Sequence, residues 1–151
     1  MVRTDRRLRI CLALIVANLA VIWGNSLLPG KDSGEMSGFV MEFLLNVLNL
    51  PDTAADFLHH LIRKAAHFTE FACLAMELTW LAGMLGEKGF HLAVLPVAGG
   101  MFAALTDESI QLLTPDRGPS LQDVWLDTAG ALAGMMIVIF GYHLIKRIKR
   151  N

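Results

Sequence analysis

Between Leu105 and Gly134 the chain places four carboxylates, Asp107, Glu108, Asp123 and Asp127, together with Gln111 and Arg117. The residues around them are apolar enough to lie in a bilayer, so this density of charge asks for a reason. A second polar group, Arg63, Lys64, His67 and Glu70, stands upstream. Carboxylates beside an imidazole are tools of general acid–base chemistry, and a guanidinium suits a phosphate. A bound divalent cation is conceivable, since it would reduce carboxylate repulsion, although no ligand spacing here is diagnostic. Ser109 and Ser120 are the hydroxyls that could serve as nucleophiles, but neither is set beside a base by its position in the sequence. No CxxC, HExxH, Gly-rich phosphate loop or GxSxG elbow occurs.

The elements that must position these groups follow from hydropathy. The chain has 151 residues, 54% of them hydrophobic, with mean hydropathy +0.50, which is too apolar for an ordinary soluble domain. A net charge of −1 gives no basic field for nucleic acid. The expected architecture is all-α: one integral membrane domain over residues 1–151, built as a four-helix bundle. Spans are expected over about residues 8–28, 63–85, 90–113 and 121–143, each near the roughly 20 residues that cross a bilayer. The first follows a basic start, as a signal peptide would, but it is long for one and lacks an A-x-A pattern. Between spans one and two a helix over about 35–49 is too short to cross and is expected to lie in the interface. Gly86–Glu87–Lys88–Gly89 and Thr114–Pro115–Asp116–Arg117–Gly118–Pro119 read as turns, and Pro96 as a kink site.

Arg3, Arg6, Arg7 and Arg9 crowd the start, and Lys146, Arg147, Lys149 and Arg150 the end. By the positive-inside rule both termini are expected in the cytoplasm, and an even number of spans likewise puts them on one side. The Arg117 turn then faces outward, and Trp23, Trp80 and Trp125 fall near the ends of their helices. Cys11 and Cys73 lie in apolar runs and read as core residues.

At about 100° per residue, Arg63, His67, Glu70 and Glu77 share an arc of roughly 80° on the second span. Asp107, Gln111 and Thr114 share roughly 60° on the third, and Asp123, Asp127, Gly130 and Gly134 a similar arc on the fourth. A charge at the bilayer centre costs about 2.5–3.5 kcal/mol, so these stripes should face each other or a wet cavity. One outward-facing polar pocket is expected, with Glu77 deeper.

Quieter explanations stand beside this one. Lys64 can snorkel to head groups, Asp123 can cap the last helix and pair with Arg117, and His67 can be a hydrogen-bonded structural residue. Gly130 and Gly134 form a small-xxx-small surface suited to close helix packing. Asp107 and Asp127 are the hardest to explain away, because they sit more than a turn inside apolar sequence.

These residues resemble the VanZ-like family of bacterial membrane proteins. The resemblance rests on RKAAHFTEFACLA from Arg63, on TDESIQLLTPDRGPSLQDVWLDTAG from Thr106, and more weakly on Asn25–Ser26. It falls on Lys64, His67, Phe68, Glu70, Asp107, Glu108, Gln111, Arg117, Asp123, Asp127 and Gly130, and many members have Asn at the position of Asp127. The resemblance implies a link to resistance against teicoplanin and its lipidated relatives, without a stated reaction. Two uses of the pocket follow. It binds an amphiphile such as a lipoglycopeptide or a lipid-linked cell-wall precursor, through Lys64, Gln111, Arg117 and Asp127. Alternatively, the protein is a hydrolase or transferase acting on a lipid-linked or head-group substrate. Its catalytic candidates are then His67, Glu70, Asp107, Glu108 and Asp123. A third possibility is a purely structural polar network, which would not need the excess of acids.

Overall fold

The computed structural model describes residues 2–29 and 55–150. Four helices occupy them: α1 (Val2–Leu27), α2 (Ala55–Met84), α3 (Gly89–Gln111) and α4 (Leu121–Ile148). No strand occurs among the described residues. The interfacial helix expected over 35–49 lies outside them.

Three helices are long and apolar enough to cross a membrane: Arg6–Leu27 of α1, Gly89–Gln111 and Leu121–Ile148. α2 is also long, at 30 residues, but Arg63, Lys64, Glu70 and Glu77 lower its apolarity. Several of these polar groups reach neighbouring helices, which is how an interior helix of a bundle can carry them. The outer surface is apolar instead: Val16, Phe102, Leu113, Trp125 and Phe140 are all exposed, as a lipid-facing surface requires.

α2 and α4 make the most extensive contact of the bundle. Gly130 and Gly134 explain it. A Cβ on Gly130 would run into the Phe68 carbonyl, and one on Gly134 into the Ala72 carbonyl. Only glycine lets the two backbones approach so closely, as expected from the spacing. Gly100 does the same for α3 against α4, where a Cβ would stand 2.6 Å from that of Ala131. Pro96 is buried inside α3, whose helical run continues through it.

The α2–α3 turn uses Gly86 and Gly89 at φ +90° and +55°, which side chains rarely adopt. A core of Cys11, Ile15, Ile22, Phe71, Leu74, Ala103, Ala104 and Val124 joins all four helices.

α1 and α2 run antiparallel and are tied by two matching rungs. Asn25 Nδ2 donates to Glu70 Oε1 at 3.3 Å, and Asn18 Nδ2 to Glu77 Oε2 at 3.5 Å. Seven residues separate the rungs on each helix, about 10 Å along the axis. The pairing fixes the register of α1 against α2.

Candidate functional site

The polar residues gather at the end of the bundle where α1 and α3 finish and α2 and α4 begin. Asp107 is its centre and is fully buried. Its Oδ1 accepts from Ser26 Oγ at 2.6 Å, and its Oδ2 from Gln111 Nε2 at 2.9 Å. Gln111 lies one turn further along α3, so its amide returns to the same carboxylate and also reaches Glu108 Oε1 at 3.3 Å. Thr114 donates to the Ser26 carbonyl at 2.9 Å, closing the end of α1 onto α3.

Glu108 faces the loop. Its Oε2 accepts from the Ser120 backbone N–H at 2.6 Å, which anchors the residue that begins α4. Ser120 itself caps α4 through its Oγ, which accepts from Gln122 N at 3.1 Å. Asp123 therefore does not cap this helix. It pairs with Lys64 rather than Arg117, at 3.8 Å and partly exposed. Arg117 instead donates from Nη2 to the Asn25 carbonyl at 2.6 Å and from Nε to the Leu28 carbonyl at 3.1 Å. The last carbonyls of a helix have no partner within it, and a guanidinium is well made to collect them. Burial pulls the Arg117 pKa below its usual value, and the group remains charged all the same.

His67 and Asp127 meet across the narrow α2–α4 contact. His67 Nδ1 stands 3.8 Å from Asp127 Oδ2, too far for a hydrogen bond. Asp127 is fully buried. Neither its two oxygens nor His67 Nδ1 finds a hydrogen-bond partner among the described residues.

Above this pair opens a pocket of about 240 Å³ lined by His60, Arg63, Lys64, His67, Gln111, Gly118, Asp123 and Leu126. A larger cleft of about 740 Å³ lies at the opposite end, among Trp80, Leu92, Ile139 and Tyr142. It gathers none of the polar cluster and is the kind of groove an acyl chain fills.

Of the residues singled out in the sequence, His67, Asp107 and Asp127 come together, with Gln111 and Glu108 bonded around them. Lys64 and Asp123 stand at the pocket mouth. Glu70 turns aside to Asn25 on α1, and Arg117 to the backbone of α1. Ser109 bonds its own helix at Leu105. Ser26, by contrast, supplies the shortest bond to Asp107. Its only sequence signal was its position beside Asn25 at the end of an apolar run. Trp23, expected in an interfacial belt, is half-buried and donates to the Ala103 carbonyl at 3.4 Å.

No curated protein and no solved structure matches the chain. The family model described as VanZ/LLP1 matches residues 11–145, a stretch that enters all four helices and contains the whole cluster. The chain belongs to the VanZ/LLP1 family.

Proposed function

We propose that this membrane protein uses the pocket above His67 and Asp127 to hold the polar head group of a cell-envelope amphiphile at the outer face of the cell membrane. All four helices cross, both termini are cytoplasmic, and residues 1–151 act as one domain. The observation that carries this reading is the pocket itself. Arg63 and Lys64 share its wall with Asp123 and His67, so it offers both signs of charge beside the α3–α4 turn. Its size selects the ligand. Pockets for drug-sized molecules run to about 300–1,000 Å³, so 240 Å³ takes a phosphate or a small head group and excludes a glycopeptide core. A link to teicoplanin resistance, which the family suggests, would then run through a lipid or the lipid tail of the drug, with no enclosure of the drug itself.

The test is binding of a polyprenyl phosphate to the purified protein in nanodiscs, read by native mass spectrometry. Arg63→Ala and Lys64→Ala should each weaken it by about tenfold, the loss of one charge-assisted contact. Cells expressing the same variants at equal membrane level should lose any protection against teicoplanin. Binding unchanged in both variants ends this reading.

One observation favours catalysis as the second reading: a buried imidazole nitrogen and a buried carboxylate, on His67 and Asp127, with no hydrogen-bond partner among the described residues are groups placed to exchange protons. His67 would then act on a lipid-linked substrate together with Asp107, Glu108 or Asp123. A mass change in the substrate, abolished by His67→Ala, supports catalysis over binding.

A further inference from the structure

Three helices each send one metal-competent side chain to the same point. Donor atoms of His67 on α2, Asp107 on α3 and Asp127 on α4 all lie within 4.8 Å of one another. Asp127 is 0% exposed, and neither of its oxygens has a hydrogen-bond partner among the described residues, nor has Nδ1 of His67. A buried carboxylate left this way carries a large desolvation penalty, and apolar residues would fill the space at no such penalty.

The spacing matches a shared ion better than a direct contact. The His67–Asp127 gap of 3.8 Å exceeds the 2.7–3.2 Å typical of hydrogen bonds. Donors that share an ion at about 2.1 Å stand roughly 3.0 Å apart in octahedral and roughly 3.4 Å apart in tetrahedral geometry. The His67–Asp127 gap is about 0.4 Å wider than the tetrahedral spacing, and the three donors, which lie within 4.8 Å of one another, would draw in around the ion by about an ångström or less at each ligand.

We propose that His67, Asp107 and Asp127 bind one divalent transition-metal ion at the floor of the pocket. Two carboxylates balance its charge, which removes the repulsion that would otherwise separate them. Asp107 is already oriented for the task. Ser26 and Gln111 donate to its two oxygens and leave lone pairs for a metal, the arrangement of outer-shell partners around a ligating carboxylate. One imidazole nitrogen with two carboxylate oxygens suits Zn²⁺ or Mn²⁺ better than Ca²⁺ or Mg²⁺, which favour oxygen alone. Three protein donors leave coordination positions open, and His67 and Gln111 border both the cluster and the pocket. An incoming oxygen from a head group or water therefore has a place on the ion. This site goes beyond the head-group reading and does not depend on it.

The test uses the full chain, purified in detergent without chelator. Metal content is measured first, and Mn²⁺ and Zn²⁺ are then titrated, with bound Mn²⁺ followed by electron paramagnetic resonance. About one ion per chain is expected. His67→Ala and Asp127→Asn should weaken binding by more than the roughly 10–100-fold typical of losing an outer-shell partner, and Ser26→Ala should weaken it within that range. Glu77→Gln, in the lower α1–α2 rung, should bind as the wild type does. A measurement that needs no variant runs alongside: chelation should lower the melting temperature of the wild type, and Mn²⁺ or Zn²⁺ should restore it. A wild type that holds neither ion and melts alike with and without chelator overturns the proposal. So do folded His67→Ala and Asp127→Asn proteins that bind ions normally. Lys64→Ala separates the two readings, because it should weaken head-group binding about tenfold while its ion content stays at about one per chain.

Discussion

Ser26 and Asp107 lie 81 residues apart in the chain, yet a buried bond of 2.6 Å joins them. Replacing Ser26 by Ala leaves one Asp107 oxygen without its donor. Thermal unfolding of the purified protein should register a loss of about 1 kcal/mol, the usual size of an interhelical hydrogen bond in a membrane protein. Lys64→Ala, at the exposed pair with Asp123, should change stability by less than about 1 kcal/mol. The contrast separates groups that hold the fold from groups at the pocket mouth. Sequence spacing put His67, Asp107, Asp123 and Asp127 on facing stripes, and of these His67, Asp107 and Asp127 come together while Asp123 pairs with Lys64. It could not foresee Ser26, since a serine at the end of an apolar run is as often a helix stop as a partner. Arg117 escaped for a related reason. A turn residue's reach depends on where the preceding helix ends, and helical periodicity is silent about that.

Helix wheels explain why Glu70 and His67 part company. The two share an arc on α2, but that arc straddles the grooves toward α1 and α4, so Glu70 meets Asn25 while His67 meets Asp127. Periodicity gives the face of a helix and leaves open which neighbour each half of the face touches. The Asn18–Glu77 rung was hidden in the same way, because Asn18 reads as a mere interruption of an apolar segment. Asn18→Leu should loosen the α1–α2 register and lower stability by roughly 1 kcal/mol, measured by thermal unfolding against the Asn25→Leu variant. Gly134→Leu acts on the other helix pair. Its side chain has no room against Ala72, and overpacking of this kind costs about 1–3 kcal/mol or more. Folded protein recovered from membranes should fall sharply.

At the scale of the whole chain, the four expected spans and the basic residues at both ends lead to one expectation about sidedness. In intact cells, a cysteine placed at Asp116 should react with a membrane-impermeant thiol reagent, and one placed at Glu87 should not until the cells are opened. Cys11 is buried and Cys73 half-buried, so background labelling should be low. Labelling at Glu87 alone would reverse the bundle and put the pocket on the cytoplasmic side. The helix boundaries were legible to within a few residues, apart from the starts of α1 and α2 and the end of α4, which run past the expected spans. Hydropathy marks where a bilayer ends, while a helix continues for as long as its backbone remains paired.

Gly130 lies three residues beyond Asp127 and rests on the carbonyl of Phe68, the neighbour of His67. The width of the gap between imidazole and carboxylate is therefore set by a side chain that is absent. A methyl group there would act as a shim, prising two chemical partners apart while deleting no polar atom. A survey of this protein that mutated only charged and hydrogen-bonding positions would overlook the residue that calibrates them.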